Sequence, residues 1–240
     1  MRPSEVAIGD AVYMADFTVM SRFEAEREAG WITTAARDES HRVSFAPVGD
    51  GDVPLFAPNE PALGYPQVPL VHPRVVRVMH PWLGENGEPV TWRQRSAVVG
   101  VPFSISTLAR WAASSPDLPG TENQLGTPSR RTRTELVAVL ARHTPAGEAV
   151  FFAYADPATG MAGYNRSVIR GTLGDLEAIR RQFVYQDGTP IPGPEFWWPA
   201  SRAWIVGTDY DSWWTDISGP SELLADLIDD GDLEVIEAEK

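Results

Sequence analysis

The 240-residue chain contains no cysteine. That excludes disulfides, thiolate metal sites and cysteine nucleophiles, and it fits a reducing compartment. Lysine is nearly missing too: Lys240 stands alone among 20 basic residues, and the other 19 are arginine. Lysine suits most solvated faces equally well, so the bias points to a GC-rich coding sequence and not to the fold. Long apolar runs are also missing, and none approaches the roughly 18 residues that a membrane-spanning helix needs. The start, MRPSEVAIGDAVYM, lacks a basic segment followed by an apolar core, so no secretory leader is expected. These absences predict a cytoplasmic protein with no membrane partner. No P-loop, dinucleotide fingerprint, H-E-x-x-H or G-x-S-x-G occurs, so no cofactor and no nucleophile elbow are assigned.

Positive charge is in deficit. The net charge of −13 would repel phosphates, which argues against nucleic acid and favours a basic partner. The acid is concentrated at the end: from Glu222 onward there are eight carboxylates (222, 226, 229, 230, 232, 234, 237, 239) against Lys240. A solvated helix and strand explains such a tail, and a docking surface for a basic protein is the sharper reading.

Tryptophan is abundant. Five of nine lie in one 18-residue stretch, WWPASRAWIVGTDYDSWW: Trp197, Trp198, Trp204, Trp213 and Trp214. Aromatic doublets flank an apolar run that ends in Asp209 and Asp211, and Asp216 follows. Neighbouring residues on a strand point to opposite faces. One member of each doublet is therefore expected in the core and the other outward, as a binding anchor. The candidate binding residues are Trp197, Trp198, Arg202, Asp209, Asp211, Trp213, Trp214 and Asp216. Carboxylates two apart share a strand face and suit a hard cation, so Asp209, Asp211 and Asp216 form the alternative, metal-dependent reading. The plainer reading is a strand end capped by side chains that accept from loop amides.

With 21 prolines and 20 glycines, the chain is read as many short elements. Residues 1–65 form an N-terminal helix-plus-hairpin section. A helix is expected from Asp16 to about Ala29, and a hairpin over 31–48. Six prolines between 54 and 73 mark a connector, and 66–240 forms the main unit. There, 74–80 (RVVRVMH) reads as a strand, and Asn86-Gly87 as a turn. A short helix follows Ser104 or Ser106, and 115–131 reads as a loop. Thr132-x-x-Glu135 reads as a capping box opening a helix over 133–143. Strands are expected at 150–155, 167–170, 203–208 (central) and 233–238, and a helix at 174–183. Gly219-Pro220 opens a further helix, with Leu223, Leu224, Leu227 and Ile228 buried and Gly231 as its stop. This interspersion predicts an α+β fold with a mixed, mainly antiparallel sheet flanked by short helices.

Several segments together resemble a family of uncharacterised actinobacterial proteins. They are RVVRVMHPWLGENGEPVTW at 74–92, LARHTPAGEAVFFAYADPATG at 140–160, and WWPASRAWIVGTDYD followed by ISGPSELLADLIDDGDLE. The resemblance covers about two thirds of the chain and leaves out 1–65. GEAVFFAYAD lacks the cysteines and tryptophans usual in that strand, and DISGPS replaces a Tyr-Val-Gly-Gly-Ser run. The resemblance implies a compact bacterial cytosolic protein and supplies no catalytic residue.

Histidines are weak candidates. His72 and His80 each precede proline at a gap that does not suit shared ligation, although His80 fits the metal-dependent reading. His143 is expected to end a helix, where a cation complements the dipole. His41 falls in a turn. RRTR at 130–133 is the only compact basic cluster and is expected to be exposed, where it could meet an anion. The leading functional expectation is a non-enzymatic protein-binding protein, of immunity or antitoxin type. The alternatives are a metal-dependent hydrolase or transferase, and a structural or assembly component.

Overall fold

Valine and aromatic residues dominate the segments that become strands, because branched and aromatic side chains suit a pleated, buried surface. The computed structural model describes residues 6–8, 11–13, 18–20, 24, 27–28, 68, 74–84, 86–100, 122–123, 128–155, 166–182, 193–208 and 212–237. In chain order the strands are β1 (Val6–Ile8), β2 (Ala11–Tyr13), β3 (Thr18–Val19), β4 (Val75–Met79), β5 (Trp82–Leu83), β6 (Pro89–Val90) and β7 (Glu122–Asn123). They continue with β8 (Val150–Ala155), β9 (Arg166–Gly171), β10 (Phe196–Pro199), β11 (Ile205–Gly207), β12 (Trp214–Ser218) and β13 (Val235–Glu237). The helices are α1 (Trp92–Val99), α2 (Arg130–Arg142), α3 (Leu176–Gln182), entered through a 3-10 turn at Leu173–Asp175, and α4 (Ser221–Asp229).

The principal sheet has eight strands in the order β13-β4-β12-β11-β10-β8-β9-β3, and each described pairing is antiparallel. The fold is α+β, as expected. β1 and β2 form a separate pair, and β6-β5-β7 a small third sheet. Alternation sorts the side chains to two faces. Val76, Val78, Phe152, Tyr154, Ile169, Trp197, Val206 and Ile217 lie in one cluster with Leu136 and Leu140 of α2, Ile179 of α3, and Leu223, Leu224 and Leu227 of α4. Val75, Phe151, Ala153, Val168, Trp198 and Ile205 face the other way, with Val68 and Met20 against them. Both faces are covered, so strands such as β4 are buried at every position.

Several expectations hold. Segment 74–80 contains β4, 150–155 is β8, and 203–208 contains β11, a middle strand of the sheet. Asn86-Gly87 forms the turn between β5 and β6, with Gly87 at φ 76°, a conformation that disfavours side chains with a Cβ. His143 caps the C-terminus of α2.

Others are corrected. Thr18–Val19 is a strand and not the start of a helix, because it pairs with β9 and forms the edge of the sheet; the described helical residues that follow are Glu24, Arg27 and Glu28. Edge pairing by a β-branched dipeptide outweighs the three-residue apolar spacing there. α2 starts three residues before the expected 133, with Ser129 as its N-cap accepting from the Thr132 amide. The expected loop at 115–131 accordingly includes β7 and the first helical residues. Arg133 of the basic cluster is buried and holds Glu177 through Nε (2.6 Å) and Nη2 (3.2 Å). Ile228 is 40% exposed and lies off the buried stripe of α4. The expected stop holds: that helix ends at Asp229, with Asp230 as its C-cap and Gly231 directly after. α1 was not expected. The hairpin at 31–48, the helix after Ser104 and most of the proline-rich connector lie outside the described residues.

Candidate functional site

The aromatic segment folds as two strands and a turn, β10 and β11, leading to β12. Trp197 and Trp198 point to opposite faces, as alternation requires, yet both are buried. The expected outward anchor is absent at this doublet because the second face of the sheet is also covered. Trp197 stacks with Phe152 and meets Trp204 edge-on, at ring distances of 6.2 and 5.9 Å. Trp198 stacks on Phe151 at 5.7 Å. Trp204 is fully buried and donates to Thr144 Oγ1 at 3.0 Å, tying the β10–β11 turn to the end of α2. Arg202 sits exposed in that turn with φ 57°, a left-handed backbone held by its amide donating to Pro199 O. Asp209 and Asp211 lie outside the described residues.

The second doublet joins a different cluster. Trp214 is buried beside Met79, Trp82 and Trp92, and half-buried Trp213 packs against the same group. Trp92 lies edge-on to Trp82 at 5.1 Å and 6.0 Å from Trp213. Two guanidinium groups stand on these rings. Arg77 lies 4.1 Å from the Trp214 ring centre, and Arg95 lies 3.7 Å from that of Trp82. Arg95 is buried, and burial pulls its guanidinium below the usual arginine range.

Asp216 is the partner of Arg77. The two face each other across β12 and β4, in register, with Nε–Oδ1 at 2.8 Å and Nη2–Oδ2 at 3.0 Å. Their side chains are 1% and 0% exposed. A bidentate fork of this kind is the strongest way to hold a carboxylate in a core. Both oxygens of Asp216 are thereby occupied, which leaves little capacity for a cation. No group of three His, Asp or Glu side chains among the described residues has metal-binding geometry.

His80 is wholly buried on the opposite face, with Nε2 2.9 Å from Thr215 Oγ1, and Thr215 lies 2.7 Å from Thr208 Oγ1. Its backbone oxygen accepts from Trp92 Nε1 at 2.8 Å. The result is a polar seam that fastens β4, β12 and α1 together. Glu234 completes that fastening. Its carboxylate accepts from the amides of Trp92 (2.7 Å) and Arg93 (2.8 Å), the first two residues of α1. Burial raises its pKa from the ordinary value, against the pull of those two amides and of Arg93. Thr91 and Gln94 add a capping box at the same helix end.

The acidic end of the chain is partly spent within the fold. Asp226 holds His143 at 2.9 Å and Arg142 at 3.4 Å, bridging α4 to α2. Asp232 pairs with Arg131, and Glu237 with Arg74. Glu222, Ala225, Ile228 and Asp229 remain on the outer face of α4, all exposed. Sequence reasoning named neither Arg77 nor Arg95, Trp82 or Trp92; the capping signature Thr91-x-x-Gln94 is the one local sign that could have drawn attention to α1.

Among the described residues no helix is long and apolar enough to cross a membrane. Comparison of the chain with protein-family models, curated proteins and solved structures gives no match.

Proposed function

We propose that this protein works by binding a basic protein, in the manner of an immunity protein or antitoxin, through the outer face of α4. The observation that carries the reading is the composition of that face. Glu222 and Asp229 flank Ala225 and Ile228 at helical spacing, and Ile228 is 40% exposed. Neither carboxylate has an ion-pair partner among the described residues, whereas Asp226, Asp232 and Glu237 are engaged by cations of the chain. An apolar spot between two carboxylates is complementary to an apolar side chain flanked by arginine or lysine. Charges of this kind steer encounter and set specificity. The overall charge of −13 extends the attraction to longer range. The scaffold beneath is well anchored, because Leu223, Leu224 and Leu227 on the inner face are fully buried.

The test is a paired pull-down from lysate of the source organism, with the wild-type chain and the Glu222→Arg/Asp229→Arg double variant as baits. A basic protein retained by the wild type should bind the variant about tenfold more weakly, since reversal replaces attraction with repulsion at two places. Equal retention by both baits, or recovery of no basic protein, would overturn the proposal.

A further inference from the structure

On the outer face of α4, Glu222 and Asp229 are seven residues apart and both exposed. At about 100° per residue that is about 20° short of two turns, so the two carboxylates stand on one line, about 10.5 Å apart along the helix axis. Ala225 lies between them, and its short side chain lets another backbone approach closely. Ile228 stands one turn on from buried Leu224 and borders the line with apolar surface, 40% exposed. On the flank toward α2, Asp226 is engaged by His143 and Arg142. Of the three carboxylates within α4, the two without an ion-pair partner among the described residues are therefore the two on that line.

We infer that the segment of the partner that covers this face is an α-helix carrying two arginines or lysines seven residues apart, with a large apolar side chain midway. This rests on the proposed binding of a basic protein and adds the form and spacing of the contacting segment. Two cations about 10.5 Å apart on one side of a chain are supplied by helix positions seven apart. A strand does not supply them. At about 3.3 Å per residue its same-side positions fall about 6.6 or 13.2 Å apart, and the three-residue step near 10 Å turns to the other face. Packed helix axes lie about 8–10 Å apart, depending on the side chains at the contact, and Ala225 is the place on α4 that permits the closer approach. The partner's apolar side chain then sits over Ala225 and against Ile228, as an anchor of a helix laid on a complementary face.

The probe is a synthetic alanine–glutamine peptide of about 18 residues, long enough to hold helical structure, with two arginines seven apart and a leucine midway. A second peptide has the same composition with the arginines five apart, which sets them about 140° apart around the helix. Each is titrated into the full chain labelled with nitrogen-15. The backbone amide signals of Ala225 and Ile228 should move saturably with the first peptide. The second should bind about two- to fivefold more weakly, the worth of one exposed ion pair. That difference should vanish in Glu222→Arg/Asp229→Arg, and a difference that persists there places the contact elsewhere and overturns the helix assignment. Equal binding of the two peptides to the wild-type chain, or no movement of the Ala225 and Ile228 signals with either, overturns it as well. These results leave the binding of a basic protein to be decided separately by the paired pull-down, where a basic protein kept by the wild type and lost by the variant would be held by a segment of another form.

Discussion

The Arg77–Asp216 pair makes the sharpest test of how this core is held. Arg77→Met leaves the Asp216 carboxylate buried without its arginine, and Asp216→Leu leaves the Arg77 guanidinium buried without its carboxylate. Breaking a buried pair from one side costs about 3–5 kcal/mol. That is a fifth or more of the roughly 5–15 kcal/mol by which a domain is stable. In a chain of this size one kcal/mol moves the melting temperature about 2–4 °C, so each single variant should melt about 6–20 °C lower. The double variant replaces both charges with apolar groups and removes the desolvation cost along with the attraction. It should therefore be less destabilised than either single variant. Urea unfolding followed by tryptophan fluorescence supplies the four free energies of the cycle. If the double variant loses the sum of the two single losses, about 6–10 kcal/mol, the pair is uncoupled and the description of this core as a matched fork fails.

Glu177 and Glu234 should respond to pH in opposite senses. Burial pulls the Glu177 carboxyl up, but its Arg133 hydrogen bonds and the charges of Arg133 and Arg180 outweigh that and hold it below its ordinary value. Its contribution is therefore present above the unfolded value and lost as pH falls through the folded one. Glu177→Gln should flatten the acid limb of the stability curve in thermal melts, and an unchanged limb would disprove this. Glu234 is raised by burial, so the folded state holds its proton longer and stability declines as pH rises from the unfolded value through the folded one. Glu234→Gln should remove that decline, read by the same melts. Gly219→Ala should cost about 1–3 kcal/mol, because the added carbon would stand 2.7 Å from Leu223 Cδ2 and 3.3 Å from Trp204 Cβ; a urea midpoint equal to wild type would count against that close approach. Glu222→Arg/Asp229→Arg should change the melting temperature by less than about 4 °C, since each exposed substitution stays within about 0.5 kcal/mol.

Periodicity made much of the fold legible. Val150–Ala155 and the Leu223, Leu224, Leu227 stripe carry their burial in apolar spacing, and both form the expected elements. α1 escaped because its buried positions are Trp92, Arg95 and Ser96. Their spacing, i, i+3 and i+4, is helical, but a search for apolar residues passes over arginine and serine. Arg95 is buried because an aromatic ring lies under its guanidinium, and that ring belongs to Trp82, outside the helix. The start of α2 was misplaced for a related reason. Thr132-x-x-Glu135 has the form of a capping box, but Arg133 anchors the first turn inward through Glu177, 44 residues away. The N-cap is Ser129, whose side chain accepts from the Thr132 amide.

The same limit explains the candidate site. On the sequence, Asp216 is one of three neighbouring carboxylates, and nothing local distinguishes it from Asp209 or Asp211. Its role comes from Arg77, 139 residues away, through the register that sets β12 against β4. The tryptophan doublets were treated as one feature because they are close in the chain. The sheet separates them. Trp197 and Trp198 lie on β10, on opposite faces, while Trp213 and Trp214 belong with Trp82 and Trp92. Tryptophans from three separate segments make the second group, and only strand order brings those segments together. A sequence can mark such residues as unusual. Which of them pack together follows from pairing, and the pairing here divides one aromatic stretch between the two faces of the sheet and a separate tryptophan cluster.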